Sequence, residues 1–208
     1  MHTQGRVLVI ACGALSREIT ALKRASGWSA LDVTCLPPEL HNRPERITPA
    51  VRAAISDARA RYDRIFVAYA DCGTGGMLDR MLAEEGVERL PGAHCYEFFA
   101  TAGVFAALAL AEPGTFYLTD FLVRHFERLV VGGLGIDRHP ELASDYFRHY
   151  RRVVYLAQVA NAQLQRQARD IAERLGLDYE QRATGYGDLA TSLRSQMLLQ
   201  RPRAPSAA

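Results

Sequence analysis

The sequence lacks the long apolar run, the basic block and the leader segment that would direct a chain to a membrane, to nucleic acid or to secretion. Its longest apolar stretch, residues 96–111, includes Glu97 and is shorter than the roughly 20 residues of a membrane-spanning helix. The net charge is only +2, without a lysine or arginine cluster, so a phosphate backbone is not an expected partner. The first residues lack the regions of a signal peptide. We therefore expect a cytoplasmic protein with no membrane and no nucleic-acid partner.

Short catalytic and metal-binding motifs are also missing. The chain contains no C-x-x-C pair, no Walker loop, no G-x-G-x-x-G fingerprint and no serine in a G-x-S-x-G elbow, which disfavours zinc ribbons, nucleotide binding and serine hydrolysis. Only four cysteines are present. In a reducing compartment, four cysteines suit free thiols, ligands or nucleophiles better than a disulfide framework.

The composition is that of a folded globular protein. Of the 208 residues, 49% are hydrophobic and 23% are charged, which is the average balance of such domains. A chain of this length buries a core without disulfides. We predict a single α/β domain over residues 1–199, followed by a disordered, linker-like tail at 200–208.

Short apolar runs rich in β-forming residues alternate with amphipathic helical patterns. The runs at 6–11, 31–35, 64–69, 87–90, 152–156 and 177–182 predict strands, and the first of them has the pattern of a strand buried on both faces. Because the connections between them are long enough for helices, we predict right-handed parallel units in a three-layer (αβα) Rossmann-like sheet. Alanine-rich and leucine-rich helical patterns predict an inserted helical segment at about 98–150.

The cysteines stand where predicted strands end. Cys12, Cys35 and Cys72 follow or end the first three strands, and Cys95 lies in the loop after the fourth. Ligands of open parallel sheets bind beyond the carboxyl ends of the strands, so we predict a metal site formed by Cys12, Cys72 and Cys95. Three thiolates with one open position suit a [4Fe–4S] cluster or zinc. The alternative is inert packing, since free cysteine is often buried.

Cys35 differs from the other three because two prolines follow it rather than a glycine. It could be a fourth ligand, a resolving thiol or a residue simply buried at a strand end.

Further candidates surround these thiols. The predicted cofactor-binding residues lie in loops next to the cysteines: Gly13, His41, Asn42, Gly73, Thr74 and Gly75. The predicted catalytic or proton-transfer residues are Asp71, His94 and Glu97. The glycine run after Cys72 could instead cradle a phosphate, and Asp71 could instead cap the following helix. A cysteine hydrolase pairing Cys72 or Cys95 with His94 is a further alternative.

Two later segments are weaker candidates. Asp120 follows Thr119 at a predicted helix start, where it could neighbour the cap or contact a substrate. The turn at 185–188 follows the last predicted strand and could form a second wall of the site.

The combination of motifs resembles a known family, the bacterial and archaeal proteins containing domain of unknown function 1638. The segments that carry the resemblance are Ala11-Cys12-Gly13, Leu36-Pro-Pro-Glu-Leu-His-Asn42, Asp71-Cys72-Gly73-Thr74-Gly75, His94-Cys95-Tyr96-Glu97 and Phe116-Tyr-Leu-Thr-Asp-Phe-Leu122. Members are often encoded beside corrinoid-dependent methyltransferase systems. The resemblance therefore implies a small-molecule substrate in one-carbon metabolism, or a corrinoid protein or methyltransferase as partner. As alternatives to a metal protein that acts on such a substrate, a non-catalytic accessory partner and a metal-free cysteine enzyme remain open.

Overall fold

The computed structural model describes residues 5–198, and these form two compact units, each with its own parallel β-sheet. The first unit covers the described residues up to Pro91 together with those from Leu189 onward, and the second covers Gly92–Asp188. The predicted class, helices flanking a Rossmann-like parallel sheet, is confirmed. The strands form two sheets, where the sequence pattern predicts one domain over residues 1–199. The tail predicted to be disordered, 200–208, lies outside the described residues.

The first unit alternates strands and helices as the sequence pattern predicts. Its elements are β1 (Val7–Cys12), α1 (Ser16–Ala25), β2 (Leu31–Leu36), α2 (Ile47–Ala58), β3 (Arg64–Ala68), α3 (Met77–Glu85) and β4 (Glu88–Arg89). Three short 3₁₀ turns connect them: Gly13–Leu15, Pro38–Asn42 and Pro44–Arg46.

β1 is an inner strand of the first sheet, and all six of its residues are buried. It pairs in parallel with β2 on one side and with β3 on the other, and the strand order is β2-β1-β3-β4. A strand with neighbours on both edges and helices over both faces has no solvated side, which explains its uninterrupted apolar sequence.

The second unit contains the whole of the predicted helical segment and a second sheet of order β5-β6-β7. Its elements are α4 (Cys95–Ala100), α5 (Ala102–Ala111), β5 (Thr115–Thr119), α6 (Asp120–Arg124), a π-helix (Glu127–Gly132), α7 (Leu142–Phe147), β6 (Arg152–Ala157), α8 (Ala162–Leu175) and β7 (Asp178–Ala183). The last helix, α9 (Gly187–Leu198), starts at its end and continues into the first unit.

Several local predictions differ from the structure. β5 lies inside the segment predicted to be helical, and the helix predicted over 98–110 is broken at Thr101, whose φ is +66°. The pair Thr48-Pro49 predicts that α2 starts at Pro49 with the Thr48 hydroxyl as its cap, and this prediction is wrong. The helix begins earlier, at Ile47, and its N-cap residue is Arg46.

The sequence pattern does not predict α9, whose polar and apolar residues show only weak periodicity. Gln196 anchors this helix to the first unit: its carbonyl accepts a hydrogen bond from Arg64 Nη1 at 3.2 Å, and its side-chain amide donates to Glu88 at 3.1 Å. Tertiary contacts rather than local propensity therefore place α9.

Between residues 5 and 198, no helix is long and apolar enough to cross a membrane.

Candidate metal centre

The carboxyl edge of the first sheet has a switch point between β1 and β3. The chain passes from β1 outward to β2, then returns across β1 to form β3 on its other side. Connections that leave two neighbouring strands in opposite directions open a crevice beyond their ends, and this crevice is where ligands bind in such sheets. Cys12 ends β1 and Cys72 lies just beyond β3, so both thiols belong to this crevice.

Cys12 is the last residue of β1 and is only 1% exposed. Its sulfur accepts a hydrogen bond from the backbone N–H of Ala14 at 3.4 Å, which caps the 3₁₀ turn that follows. Gly13 is required here for packing, because a Cβ at this position would lie 3.0 Å from Cδ of Pro38 and 3.1 Å from the carbonyl of Leu36. Gly13 was predicted to bind a cofactor, and its missing side chain lets the loop after β2 approach Cys12.

Cys72 lies in a strained turn. Its φ is +49°, a left-handed conformation that costs a non-glycine residue roughly 1–2 kcal/mol. Gly73, Gly75 and Gly76 also have positive φ values. The side chain is 5% exposed. Backbone strain at a buried, chemically reactive side chain points to a functional position.

The amides of the glycine-rich turn are already occupied by a carboxylate of the same turn. Asp71 accepts hydrogen bonds from the Thr74 hydroxyl at 2.6 Å and from the N–H groups of Gly76 and Gly75 at 2.9 and 3.2 Å. Burial raises the pKa of Asp71, but these hydrogen bonds lower it by more, so that the net shift is downward. The turn thus carries its own anion, which disfavours the phosphate-cradle alternative. Asp71 holds the turn that precedes α3, whereas the hydroxyl of Thr74 accepts from the N–H of Leu78 in the first turn of the helix, at 3.4 Å. The cofactor roles of Gly73, Thr74 and Gly75 stay predictions.

His41 lies between the two thiols of the first unit. Its Nδ1 is 3.7 Å from the sulfur of Cys12 and 3.2 Å from the carbonyl oxygen of Pro38. A ring nitrogen of His41 that could bind a metal lies within 4.8 Å of the Cys72 sulfur. The ring is stacked on Tyr69, with centroids 6.2 Å apart and planes inclined by 15°. The sequence predicted a cofactor-binding role for His41, and the structure places it against two of the predicted metal ligands.

The electrostatics of His41 reflect these sulfur neighbours. Burial lowers its pKa, but hydrogen bonds and charge interactions with Cys12 and Cys72 raise the pKa to about 11. The Cys12 and Cys72 sulfurs thus stabilise a positive charge placed between them, and a bound metal cation would be stabilised in the same way. Asn42 ends the same 3₁₀ turn, and its cofactor role stays a prediction.

Cys35 lies outside this cluster. It pairs in register with Ala11, the residue before Cys12, and side chains alternate between the two faces of a sheet. The Cys35 side chain therefore lies on the sheet face opposite to that of Cys12. Cys35 is also exposed, so the alternative of simple burial is wrong. It provides a thiol outside the cluster for control experiments.

The remaining predicted residues belong to the second unit, at the start of α4. Cys95 is the first residue of the helix and is buried. The Glu97 carboxylate accepts from the N–H groups of Ala93 at 2.6 Å and His94 at 3.2 Å, so it caps the helix. The His94 ring stacks on Tyr96 at 4.5 Å. The catalytic roles of His94 and Glu97, and the sharing of one site by Cys95 with Cys12 and Cys72, stay predictions. Within the first unit, His41 and Cys72 offer a ring nitrogen and a sulfur, two atoms of the kind that could bind a metal ion.

Asp120 forms a buried polar network that the sequence analysis missed. Only 1% exposed, its carboxylate accepts from the Tyr155 hydroxyl at 2.6 Å and from the N–H groups of Gln158 and Val159 at 3.1 and 3.2 Å. Its own N–H donates to the Gln158 side chain at 2.7 Å. The network ties the start of α6 to the turn after β6. Asp120 is therefore a structural residue, and the signal that could have revealed it was a carboxylate directly after an apolar strand.

An ion pair joins α3, the helix after the Cys72 turn, to β4. Arg89 donates from Nε and Nη2 to the two oxygens of Asp79, at 2.5 and 2.8 Å, and these bonds lower the pKa of Asp79. The Asp79 side chain is 54% exposed, so we expect Asp79→Asn to cost less than about 1 kcal/mol of unfolding free energy at pH 7. Because a carboxyl pKa lowered by folding contributes its full stability above the ordinary value near ~4 and loses it as the pH falls through the lower folded-state pKa, the difference should shrink progressively below about pH 4.

Urea unfolding of the wild type and Asp79→Asn at pH 7 and pH 3 measures this effect. Asp57→Asn on the exposed face of α2 is the matched control and should change little at either pH. A difference as large at pH 3 as at pH 7 would show that the loss is not one of charge.

The comparisons with known proteins give one match. The family model described as "Protein of unknown function (DUF1638)" matches residues 35–193. The matched region includes His41, Cys72, Cys95 and Asp120. Neither a search of curated proteins nor one of solved structures returned a match.

Proposed function

Since the chain belongs to the DUF1638 family of proteins of unknown function, we propose from its own residues that it is a metal protein. Its centre is built from the thiols of Cys12, Cys72 and Cys95 together with the imidazole of His41. The observation that carries the proposal is the position of the His41 ring, 3.7 Å from the Cys12 sulfur and within reach of the Cys72 sulfur. Thiolates and imidazole are the ligands that zinc and related metals prefer in proteins.

The donor set favours zinc over a [4Fe–4S] cluster. Three cysteines alone suit either centre, whereas the added imidazole of His41 gives the mixed thiolate and imidazole ligand set that is typical of zinc. When bound, such an ion supplies a Lewis acid for a small polar or thiol substrate. This chain's own contribution is to hold the ligands at the crevice beyond β1 and β3. The glycine-rich turn beside that crevice has its N–H groups occupied by the Asp71 carboxylate.

The proposal also includes a role in corrinoid-linked one-carbon metabolism, which is what the family resemblance implies. A metal-activated thiol or methylated substrate is chemically compatible with that role. A corrinoid protein or methyltransferase as partner would be recognised by complex formation that survives cysteine-to-serine changes.

Metal analysis of protein produced and purified without oxygen tests the proposal. We expect a substantial fraction of one metal ion or cluster per chain, with an absorption spectrum that distinguishes colourless zinc from a brown cluster. Cys35→Ser, which changes a thiol outside the cluster, should retain the same content. A colourless protein holding less than about 0.1 metal per chain would contradict the proposal and leave metal-free cysteine chemistry as the alternative.

A further inference from the structure

We propose that Cys12 is a positioning residue of this centre rather than a metal ligand: its sulfur holds the His41 imidazole so that Nε2 faces the metal. This inference rests on the metal centre proposed above. Among the residues of the first unit, it assigns His41 and Cys72 as ligands and Cys12 as a residue that acts through His41.

The protonated nitrogen of His41 follows from its carbonyl neighbour. A carbonyl oxygen only accepts hydrogen bonds, so the 3.2 Å contact between Nδ1 and the Pro38 oxygen requires a proton on Nδ1. A histidine that binds a metal does so through an unprotonated nitrogen. The ligand nitrogen of His41 is therefore Nε2. Metal-bound histidines commonly donate their other N–H to a carbonyl or a negatively charged group, which fixes the tautomer and the ring orientation.

The Cys12 sulfur lies on the Nδ1 side of the ring. It is 3.7 Å from Nδ1, whereas a metal at Nε2 would bind the other ring nitrogen, at a bond length of about 2.0–2.1 Å. A sulfur that contacts Nδ1 is therefore assigned to holding the ring rather than to a zinc–sulfur bond of about 2.3 Å. The sulfur instead receives Nδ1–H alongside the Pro38 carbonyl.

The backbone holds the Cys12 sulfur in this place. The N–H of Ala14 donates to it at 3.4 Å, and the residue is 1% exposed at the end of the central strand. The stacked ring of Tyr69 restricts His41 from the face. A sulfur that accepts from two N–H groups occupies the place of the hydrogen-bond acceptor behind a metal-bound histidine.

Counting the sulfurs around the bound metal tests the inference. We would load zinc into the wild type, Cys12→Ser, Cys12→Ala and Cys72→Ser, and determine the sulfur number by X-ray absorption. Cys12→Ser should keep one zinc per chain and the wild-type sulfur number, with zinc affinity lowered by about 10–100-fold, as for other partners of a metal-bound histidine. Cys72→Ser should lose one sulfur. Cys12→Ala should bind zinc more weakly than Cys12→Ser, because serine retains an acceptor for the two N–H groups.

Two results would overturn the inference, and they differ in what else they affect. Loss of one sulfur in Cys12→Ser would make Cys12 a direct ligand and leave the metal centre intact. A wild-type protein that binds no zinc and no cluster would overturn the metal centre and this inference together. Circular dichroism of each variant, with Cys35→Ser as a folded reference, separates loss of a ligand from loss of the fold.

Discussion

Replacing Asp120 with alanine should lower the free energy of unfolding by about 3–5 kcal/mol, a large part of the stability of an ordinary domain. The change removes a carboxylate that accepts from three donors: the buried Tyr155 hydroxyl, the buried N–H of Gln158 and the partly buried N–H of Val159. Each buried donor left without an acceptor costs about 1–3 kcal/mol. Burial and the nearby carboxylate raise the pKa of Tyr155, so its hydroxyl stays protonated and donates.

Urea unfolding followed by circular dichroism measures the loss, and hydrogen exchange at residues 157–159 locates it. Tyr155→Phe removes one donor and leaves the two backbone bonds, so it should cost about 1–2 kcal/mol. Asp170→Ala on the exposed face of α8 should stay within about 0.5 kcal/mol of the wild type. An Asp120→Ala variant as stable as Asp170→Ala would show that water replaces the carboxylate and that the network is dispensable.

The Asp120 network shows why the sequence alone did not indicate the structural role of this residue. An aspartate after Thr119 fits a helix start, and Thr119 does cap α6 through its hydroxyl, at 3.3 Å from the N–H of Leu122. The partners of the carboxylate are more than thirty residues away, on β6 and the turn after it. No local pattern records which distant donors a carboxylate will meet, so a buried structural acid and a surface cap look alike in sequence.

The fold was predictable wherever one strand is buried on both faces. β1, β3 and β6 are short apolar runs rich in β-branched and aromatic residues, a pattern that favours buried strands. α3 and α8 end at left-handed glycines, Gly86 and Gly176. β5 was missed because Thr119 both ends the strand and caps the next helix. The division into two sheets was not predictable either, since strand pairing is set by contacts between distant segments.

The candidate site was predictable in its cysteines and less so in its histidine. The rule that parallel strands end at one edge is enough to bring Cys12 and Cys72 to the same crevice. His41 reaches that crevice because Pro38 starts a 3₁₀ turn and Gly13 leaves room for it. That depends on a packing distance between two loops, which residue order does not state. The exclusion of Cys35 likewise depends on register, because a shift of one residue would move its side chain to the other face.

Cys72→Gly should abolish tight metal binding while leaving the metal-free fold nearly as stable as the wild type. The φ of +49° at Cys72 costs a non-glycine residue about 1–2 kcal/mol, which glycine does not pay. Glycine loses about 1 kcal/mol through the greater freedom of the unfolded chain, so we expect the unfolding free energies to agree within about 1 kcal/mol. Removal of the sulfur should weaken zinc binding by about 100-fold or more, because a ligand bond is lost from a buried centre.

Competition with a chromogenic chelator measures the affinity, and urea unfolding in excess chelator measures the metal-free stability. Cys72→Ala separates the two effects, since it also lacks the sulfur but keeps the strained backbone. It should bind zinc as weakly as Cys72→Gly and be less stable than it by about 1 kcal/mol. Cys35→Ser should match the wild type in affinity.

The two measurements can contradict this account independently. Unchanged zinc affinity in both Cys72 variants would remove Cys72 from the centre. A Cys72→Gly variant that is more than about 2 kcal/mol less stable than Cys72→Ala would show that the left-handed turn costs the wild type nothing. If both expectations hold, Cys72 keeps a strained backbone because its sulfur binds the metal. Glycine at position 72 would give the metal-free fold the same stability but would provide no metal ligand.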